Sequence, residues 1–163
     1  MSTVYFYHGS KVGGITMLEP RLYKQVSDRP VVFATADPNY ALAMIHASGA
    51  ELAVCYAADA AGKRAMYVDE LRANVLQELE QPGYLYEFSS EGFEPSPENL
   101  EGEYVSYTPV PVMKETFVSN VRQALETAGV HMVDYDHVLD SMKSRGQDLG
   151  APLQKHAEDR FDH

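Results

Sequence analysis

Two groups of polar residues in this chain have types and positions that could do chemistry on a ligand. His8, Gly9 and Ser10 follow the apolar segment at residues 4–7, and Glu103 begins an alternating segment much later in the chain. A histidine at the end of a strand can exchange hydrogen bonds with a ligand, and a glycine beside it lets that ligand approach the backbone closely. A carboxylate such as that of Glu103 stabilises the positive charge that develops on a sugar when a glycosidic bond breaks. Ligand binding at one segment and charge stabilisation at the other are therefore the chemistry that these residues could do.

Each of these candidates also has a purely structural interpretation. His8 could be a histidine at a strand end whose ring is satisfied by the backbone, and Glu103 could be a solvated acid beside Glu101. Tyr40, in an apolar helical segment, could belong to the core. The residue types alone leave both interpretations open.

Several other kinds of site are excluded by motifs that the chain lacks. Gly9, Gly13 and Gly14 make neither a GxGxxG pattern nor a P-loop, and no GxSxG nucleophile elbow is present. No two histidines have the HxH or HxxxH spacing typical of metal ligands, so no metal site is expected. The single cysteine, Cys55, excludes an internal disulfide, and its apolar neighbours at 52–56 predict a core thiol.

Length and charge limit the size of the fold and the partners it can take. The chain has 163 residues and a formal net charge of −11, which suits one compact domain whose surface repels phosphate backbones. Duplex nucleic acid is therefore disfavoured as a partner, although Lys11, Arg21, Lys24 and Arg29 could form a local basic patch. The N-terminus has no signal-peptide features, and no apolar run approaches the roughly 20 residues that span a bilayer. A cytoplasmic protein without a membrane partner is therefore expected.

The first two thirds of the chain contain mainly strand patterns. Short segments rich in β-branched and aromatic residues predict strands at 4–7, 30–34, 84–88 and 103–107. Asp37 and Pro38 predict a helix start, as N-cap and first helical residue, for a helix that ends near Ser48.

Of the remaining segments, one is undecided and the others favour helices. Residues 51–57 fit a strand or a helix equally well, whereas the Leu-, Glu- and Arg-rich segment 67–80 favours a helix by propensity. Apolar residues at helical spacing run from Glu115 to a stop at Gly129, and a last helix is predicted at 134–144. Strands early in the chain and helices late predict an α+β fold with a mainly antiparallel sheet.

Three segments, taken in this order, resemble motifs of the ADP-ribosyltransferase superfamily. His8, Gly9 and Ser10 are similar to the family's His-Gly-Ser motif at the end of its first strand. Residues 31–37 (Val-Val-Phe-Ala-Thr-Ala-Asp) resemble its strand before a helix, and residues 103–107 (Glu-Tyr-Val-Ser-Tyr) resemble its strand that begins Glu-Tyr. The likeness is to the branch of diphtheria toxin and the poly(ADP-ribose) polymerases, in which a His-Tyr-Glu trio holds NAD.

The resemblance implies a fold and a substrate. The expected fold has split antiparallel sheets with a C-terminal helical extension: a core at 1–114, and at 115–163 a helical extension and tail of the same domain. NAD would be the substrate, and ADP-ribose would pass to a protein, nucleic-acid or small-molecule acceptor. The acidic surface favours a protein or small-molecule acceptor over duplex DNA.

The resemblance also implies roles for the motif residues. Glu103 resembles the family's catalytic glutamate, which stabilises the positive charge on the ribose and holds one of its hydroxyls. His8 matches the residue that bonds the adenosine-side ribose. Gly9 and Ser10 match the residues that hold the nicotinamide amide.

The chain departs from the family at the motif tyrosine, because Val32 stands at that position. Phe33 or Tyr40 is therefore proposed as the ring that stacks on the base, and Arg21 as part of a basic patch beside the anionic dinucleotide. Two other functions stay open at this point. One is a glycohydrolase that uses the same fold to act on NAD or on another nucleoside or nucleotide. The other is a nucleotide- or protein-binding module that has lost catalysis.

Overall fold

The computed structural model describes residues 4–22, 29–46, 51–97 and 102–146. These residues form two compact units, each built from two separate stretches of the chain. The first unit lies within Met1–Ile45 and Pro82–Ser119, and the second lies within His46–Gln81 and Asn120–His163. None of the helices in this described part of the chain has the length and apolar character needed to cross a bilayer.

Strands outnumber helices among the described residues. The elements in chain order are β1 (Tyr5–Ser10), β2 (Met17–Leu18), β3 (Val32–Thr35), α1 (Pro38–Ala43), β4 (Leu52–Ala58), β5 (Arg64–Glu70), α2 (Val75–Glu78), β6 (Gly83–Ser89), β7 (Glu94–Pro95), β8 (Glu103–Ser106), β9 (Val110–Pro111), β10 (Lys114–Val118), α3 (Val121–Thr127), β11 (His131–Val133) and α4 (Val138–Ser144). This mixture of strands and helices, with mostly antiparallel pairing, confirms the predicted α+β class.

Six strands of the first unit form one antiparallel sheet in the order β10-β6-β1-β3-β8-β7, and β2 pairs with β9 in a separate two-stranded sheet. The ladder between β1 and β6 runs from Tyr5 with Ser89 to Ser10 with Tyr84. Because side chains alternate between the two faces of a strand, one face of the sheet can gather most of the buried apolar side chains. Its side chains form a core with residues of β2 and β9: Phe6, Leu18, Val32, Ala34, Tyr86, Phe88 and Val110.

Helix α1 begins where the sequence predicts. The carboxylate of Asp37 accepts a hydrogen bond from the backbone N–H of Asn39 at 2.8 Å, and Pro38 is the first helical residue. This cap satisfies one of the donors that a helix N-terminus leaves without an intrahelical partner. The helix ends at Ala43, whereas the predicted end near Ser48 lies outside the described residues.

The sheet of the second unit has the order β11-β5-β4, with β4 antiparallel and β11 parallel to β5. The undecided segment at 51–57 is therefore largely strand β4. The helix predicted over 67–80 is wrong for its first part, because β5 extends to Glu70 and only α2 is helical. Residues 66–70 are all buried between β4 and β11, and pairing on both sides outweighs a local helix propensity.

The helix predicted to begin at Glu115 begins only after Asn120. Strand β10 carries the chain through the intervening stretch and pairs with β6, so its backbone groups are satisfied in the sheet. Asn120 then caps α3 by accepting the N–H of Gln123 at 3.0 Å, and Gly129 ends the helix with a positive φ of 86°, as predicted. The boundary predicted after residue 114 falls at the first residue of β10, so the C-terminal segment contributes a strand to the sheet as well as helices.

Cys55 has polar neighbours, which contradicts the prediction of a thiol in apolar surroundings. Nη1 of Arg145 donates to its Sγ at 3.3 Å, and Sγ lies 3.8 Å from Oδ2 of Asp69. Arg145 follows α4, which begins at Val138 and is shorter than the helix predicted at 134–144. These polar partners come from other parts of the sequence, so the apolar run around Cys55 does not reveal them.

Candidate functional site

The three motif segments occupy neighbouring strands of the first unit, with β3 between β1 and β8. Tyr7 of β1 pairs with Thr35 of β3, and Thr35 pairs with Glu103 of β8. Residues that pair directly across antiparallel strands share one face of the sheet, so Tyr7, Thr35 and Glu103 form a row on that face. The strand that carries His8 and the strand that carries Glu103 are therefore separated by one strand, β3.

Glu103 is buried at the start of β8 and is held by a tyrosine. Its exposed fraction is 7%, so the interpretation as a solvated acid is wrong. The hydroxyl of Tyr40, on α1, donates a hydrogen bond to Oε1 of Glu103 at 2.5 Å. Burying a carboxylate is unfavourable unless hydrogen bonds compensate, and a bond to a charged acceptor is roughly twice as strong as a neutral one. Tyr40 therefore fixes the orientation of the Glu103 carboxylate.

The start of α1 determines where Tyr40 lies. Oγ1 of Thr35 accepts the N–H of Asp37 at 3.1 Å, so the end of β3 and the helix cap are joined within two residues. The residues that follow Tyr40, at 41–43, are buried. The hydroxyl of Tyr40 thus contacts Glu103, and stacking of its ring on a base stays a prediction.

His8 is bonded to the backbone of the adjacent motif strand. Its Nδ1 lies 2.8 Å from the carbonyl oxygen of Phe33, and because a carbonyl only accepts, Nδ1 carries the proton. Burial lowers the pKa of His8 below its ordinary 6.5, the bond to Phe33 opposes that shift, and the positive charge of Arg21 adds to it. A neutral His8 ring therefore presents Nε2 as a hydrogen-bond acceptor at neutral pH.

Strands β1 and β3 separate at the histidine. Within the described residues of these two strands, the ladder consists of one pair, Tyr7 with Thr35. Beyond that pair, the carbonyl of Phe33 is bonded by the ring of His8, where a continuing antiparallel ladder would use backbone donors. His8 and the two motif residues after it therefore lie where the sheet splits.

Gly9 allows helix α1 to pack closely on β1. A Cβ at this position would lie 2.4 Å from the carbonyl oxygen of Ala41 and 2.6 Å from Cγ1 of Ile45. The predicted grip of its backbone on a ligand stays a prediction. Oγ of the next residue, Ser10, accepts the N–H of Val12 at 3.1 Å, and the hydroxyl can still donate its own proton to a ligand.

Arg21 places positive charge near the motif histidine. Its side chain is exposed, its backbone pairs with the residue before β3, and its charge contributes to the lowered pKa of His8. Of the other residues predicted for the basic patch, Lys24 lies outside the described residues, and Arg29 places its guanidinium carbon 3.9 Å from the centre of the Tyr107 ring. Arg21 is thus the cation of this patch that the structure connects to His8.

Tyr7 and Thr35 share the row of Glu103 without having been predicted as site residues. Burial is the main cause that raises the pKa of Tyr7. The hydrogen bond and the negative charge of the Glu87 carboxylate raise it further. Strand alternation was the available signal, because Tyr7 and His8 must lie on opposite faces of β1. Tyr7 lies on the Glu103 face, and His8 lies on the core face.

Val32, which stands where the resemblance to ADP-ribosyltransferases would place a tyrosine, lies inside the protein. Val32 is 3% exposed and packs in the core of the first unit, whereas its neighbour Phe33 is partly exposed. The candidate residues are therefore a buried carboxylate held by Tyr40 on one face of the sheet, an imidazole acceptor on the core face where the sheet splits, and a cation near that imidazole. No protein-family model, curated protein or solved structure matches this chain, so the case for a function comes from the residues themselves.

Proposed function

We propose that the first unit binds NAD, breaks the bond between nicotinamide and ribose, and transfers ADP-ribose to an acceptor. The observation that carries this proposal is the placement of Glu103. Its buried carboxylate is oriented by Tyr40. Glu103 begins β8, which lies next to β3, and β3 lies next to the strand that carries His8. Three segments that are far apart in the sequence thus form one contiguous part of a sheet.

The carboxylate of Glu103 would stabilise the positive charge that forms on the ribose during the reaction. When the glycosidic bond breaks, its electron pair leaves with the nicotinamide nitrogen, and positive charge develops on the ribose. A fixed carboxylate in a buried position stabilises that charge more than a mobile one in water, because no reorganisation is needed during the reaction. A nucleophilic oxygen, nitrogen or sulfur of the acceptor then bonds to the ribose carbon and loses its proton to solvent.

The residues near the split in the sheet would bind the dinucleotide. Nε2 of a neutral His8 can accept a hydrogen bond from a ribose hydroxyl, and the hydroxyl of Ser10 can donate to the nicotinamide amide. Arg21 would attract the diphosphate through its charge. The net charge of −11 favours a protein or small-molecule acceptor over duplex DNA.

The test is incubation with NAD labelled in the adenylate, followed by separation of nicotinamide, free ADP-ribose and labelled acceptor. Glu103→Gln is expected to lower turnover by about a hundredfold or more while NAD binding survives. The matched control is Glu94→Gln, which makes the same chemical change at an exposed position of β7.

The products distinguish the candidate functions. Nicotinamide with a labelled acceptor supports transfer, whereas nicotinamide with free ADP-ribose alone indicates a glycohydrolase. Binding of NAD without turnover indicates a module that has lost catalysis. The proposal is refuted if the wild-type protein neither binds NAD nor consumes it.

A further inference from the structure

The loop that follows the motif serine is held by three hydrogen bonds to two side chains from other strands. We call residues 12–15 the 12–15 loop. The N–H of Gly14 donates to Oε1 of Glu115 at 2.6 Å, and the N–H of Ile15 donates to the hydroxyl oxygen of Tyr86 at 3.3 Å. That hydroxyl also lies 2.6 Å from the carbonyl oxygen of Val12 and 2.8 Å from Oε1 of Glu115.

The two anchoring side chains belong to β6 and β10, the two strands on one side of β1. Tyr86 of β6 pairs with His8 of β1, and Glu115 of β10 pairs with Tyr86. The ring of Tyr86 is fully buried, and burial is the main cause that raises the pKa of its hydroxyl. The hydroxyl therefore keeps its proton at neutral pH and donates it to Val12 or Glu115, one at a time.

The two glycines permit the packing and the backbone conformation of the loop. A Cβ on Gly13 would lie 2.6 Å from two ring carbons of Tyr84, so Gly13 packs against that ring more closely than a residue with a side chain could. Gly14 has a φ of 79°, a conformation that residues with side chains rarely adopt. A pair of glycines is costly in entropy to hold in one conformation, so a loop built on them stays fixed only where other groups hold it.

We propose that Glu115 and Tyr86 are positioning residues that hold the 12–15 loop so that the backbone after Ser10 is fixed for the nicotinamide end of NAD. This inference rests on the proposed function, because Ser10 is the residue expected to contact the nicotinamide amide. A loop fixed before binding loses less conformational entropy when the ligand arrives. The effect of the anchors should therefore appear in ligand affinity and KM, whereas Glu103 acts on kcat.

The experiment compares wild type with Glu115→Ala, Glu115→Gln and Glu91→Ala. Glutamine keeps an oxygen that can accept from Gly14 and Tyr86, whereas alanine removes the acceptor. Glu91 is an exposed carboxylate in the turn after β6 and serves as the control for loss of charge. The readouts are the Kd for NAD, KM and kcat for nicotinamide release, and the hydrogen-exchange rates of the Gly14 and Ile15 amides.

Glu115→Ala is expected to weaken NAD binding and raise KM by about tenfold or more, which corresponds to the loss of one hydrogen bond to a charged group. Its kcat should change by less than about twofold, and the Gly14 and Ile15 amides should exchange faster. Glu115→Gln should restore most of the affinity, and Glu91→Ala should match wild type.

Two results would overturn the inference in different ways. Faster amide exchange in Glu115→Ala with unchanged NAD affinity shows that the anchors hold the loop but not for this ligand. Unchanged amide exchange shows that they do not hold the loop at all. By contrast, failure of wild type to bind NAD overturns the proposed function and the ligand-positioning role with it, and the exchange rates then report only on the loop.

Discussion

A buried ion pair in the second unit gives a prediction that does not depend on the proposed function. Nη2 of Arg145 lies 2.9 Å from Oδ1 of Asp69, and the two side chains are 3% and 0% exposed. Arg145 also donates to Sγ of Cys55, and its guanidinium carbon lies 4.2 Å from the centre of the Tyr67 ring. Burial raises the pKa of Asp69, while the hydrogen bond and charge of Arg145 oppose that rise.

Arg145→Met removes the positive partner and leaves the carboxylate of Asp69 buried. Removing one member of a buried pair costs about 3–5 kcal/mol, because the remaining charge has no compensating partner. Asp69→Asn should be similarly destabilising, since it leaves the guanidinium buried. The double variant should lose less than the sum of the two, with a coupling of about 1–3 kcal/mol.

Urea denaturation of the four proteins of this cycle measures these free energies of unfolding. Arg122→Met is the control, because Arg122, on α3, makes ion pairs that are more exposed, and its loss should cost less than about 1 kcal/mol. The cost of Arg145→Met should also shrink at acidic pH, since a protonated Asp69 is easier to bury. A cost below about 1 kcal/mol for Arg145→Met, or a coupling near zero, would refute this account of the pair.

Three further predictions concern the first unit. Tyr40→Phe removes the donor to Glu103 and should lower stability by about 1–3 kcal/mol and kcat for nicotinamide release by about tenfold; unchanged kcat would contradict the positioning of Glu103 by Tyr40. Because the pKa of His8 is lower in the folded protein than its ordinary 6.5, the unfolded chain takes up this proton first as pH falls. The free energy of unfolding should therefore decrease as pH falls below about 6.5, and His8→Gln should reduce that slope in denaturation curves measured across this range. Gly9→Ala places a Cβ 2.4 Å from the carbonyl oxygen of Ala41 and should lower the melting temperature, by an amount equivalent to about 1–3 kcal/mol; a melting temperature equal to that of wild type would show that α1 moves aside without loss.

The sequence predicts well those features that depend on neighbouring residues. The cap at Asp37 and the first helical turn at Pro38 need only a side chain that reaches the backbone two residues on. The strands at 84–88 and 103–107 are signalled by their own alternation, and Gly129 ends its helix through its own φ. In each case the interactions that determine the structure lie within a few residues of the chain, so a local pattern carries the information.

Tertiary structure decides the features whose partners are far away in the sequence. Segment 67–80 has the composition of a helix, yet β5 forms because β4 and β11 pair with it on both sides. The hydroxyl of Tyr40 meets Glu103 across 63 positions. Gly14 meets Glu115 across 101 positions, and Cys55 meets Arg145 across 90. The sequence by itself determined which residue types could do chemistry and the short elements that carry them. Only the folded chain decided which of them meet, because strand pairing and burial bring together groups whose separation along the chain leaves no local signal.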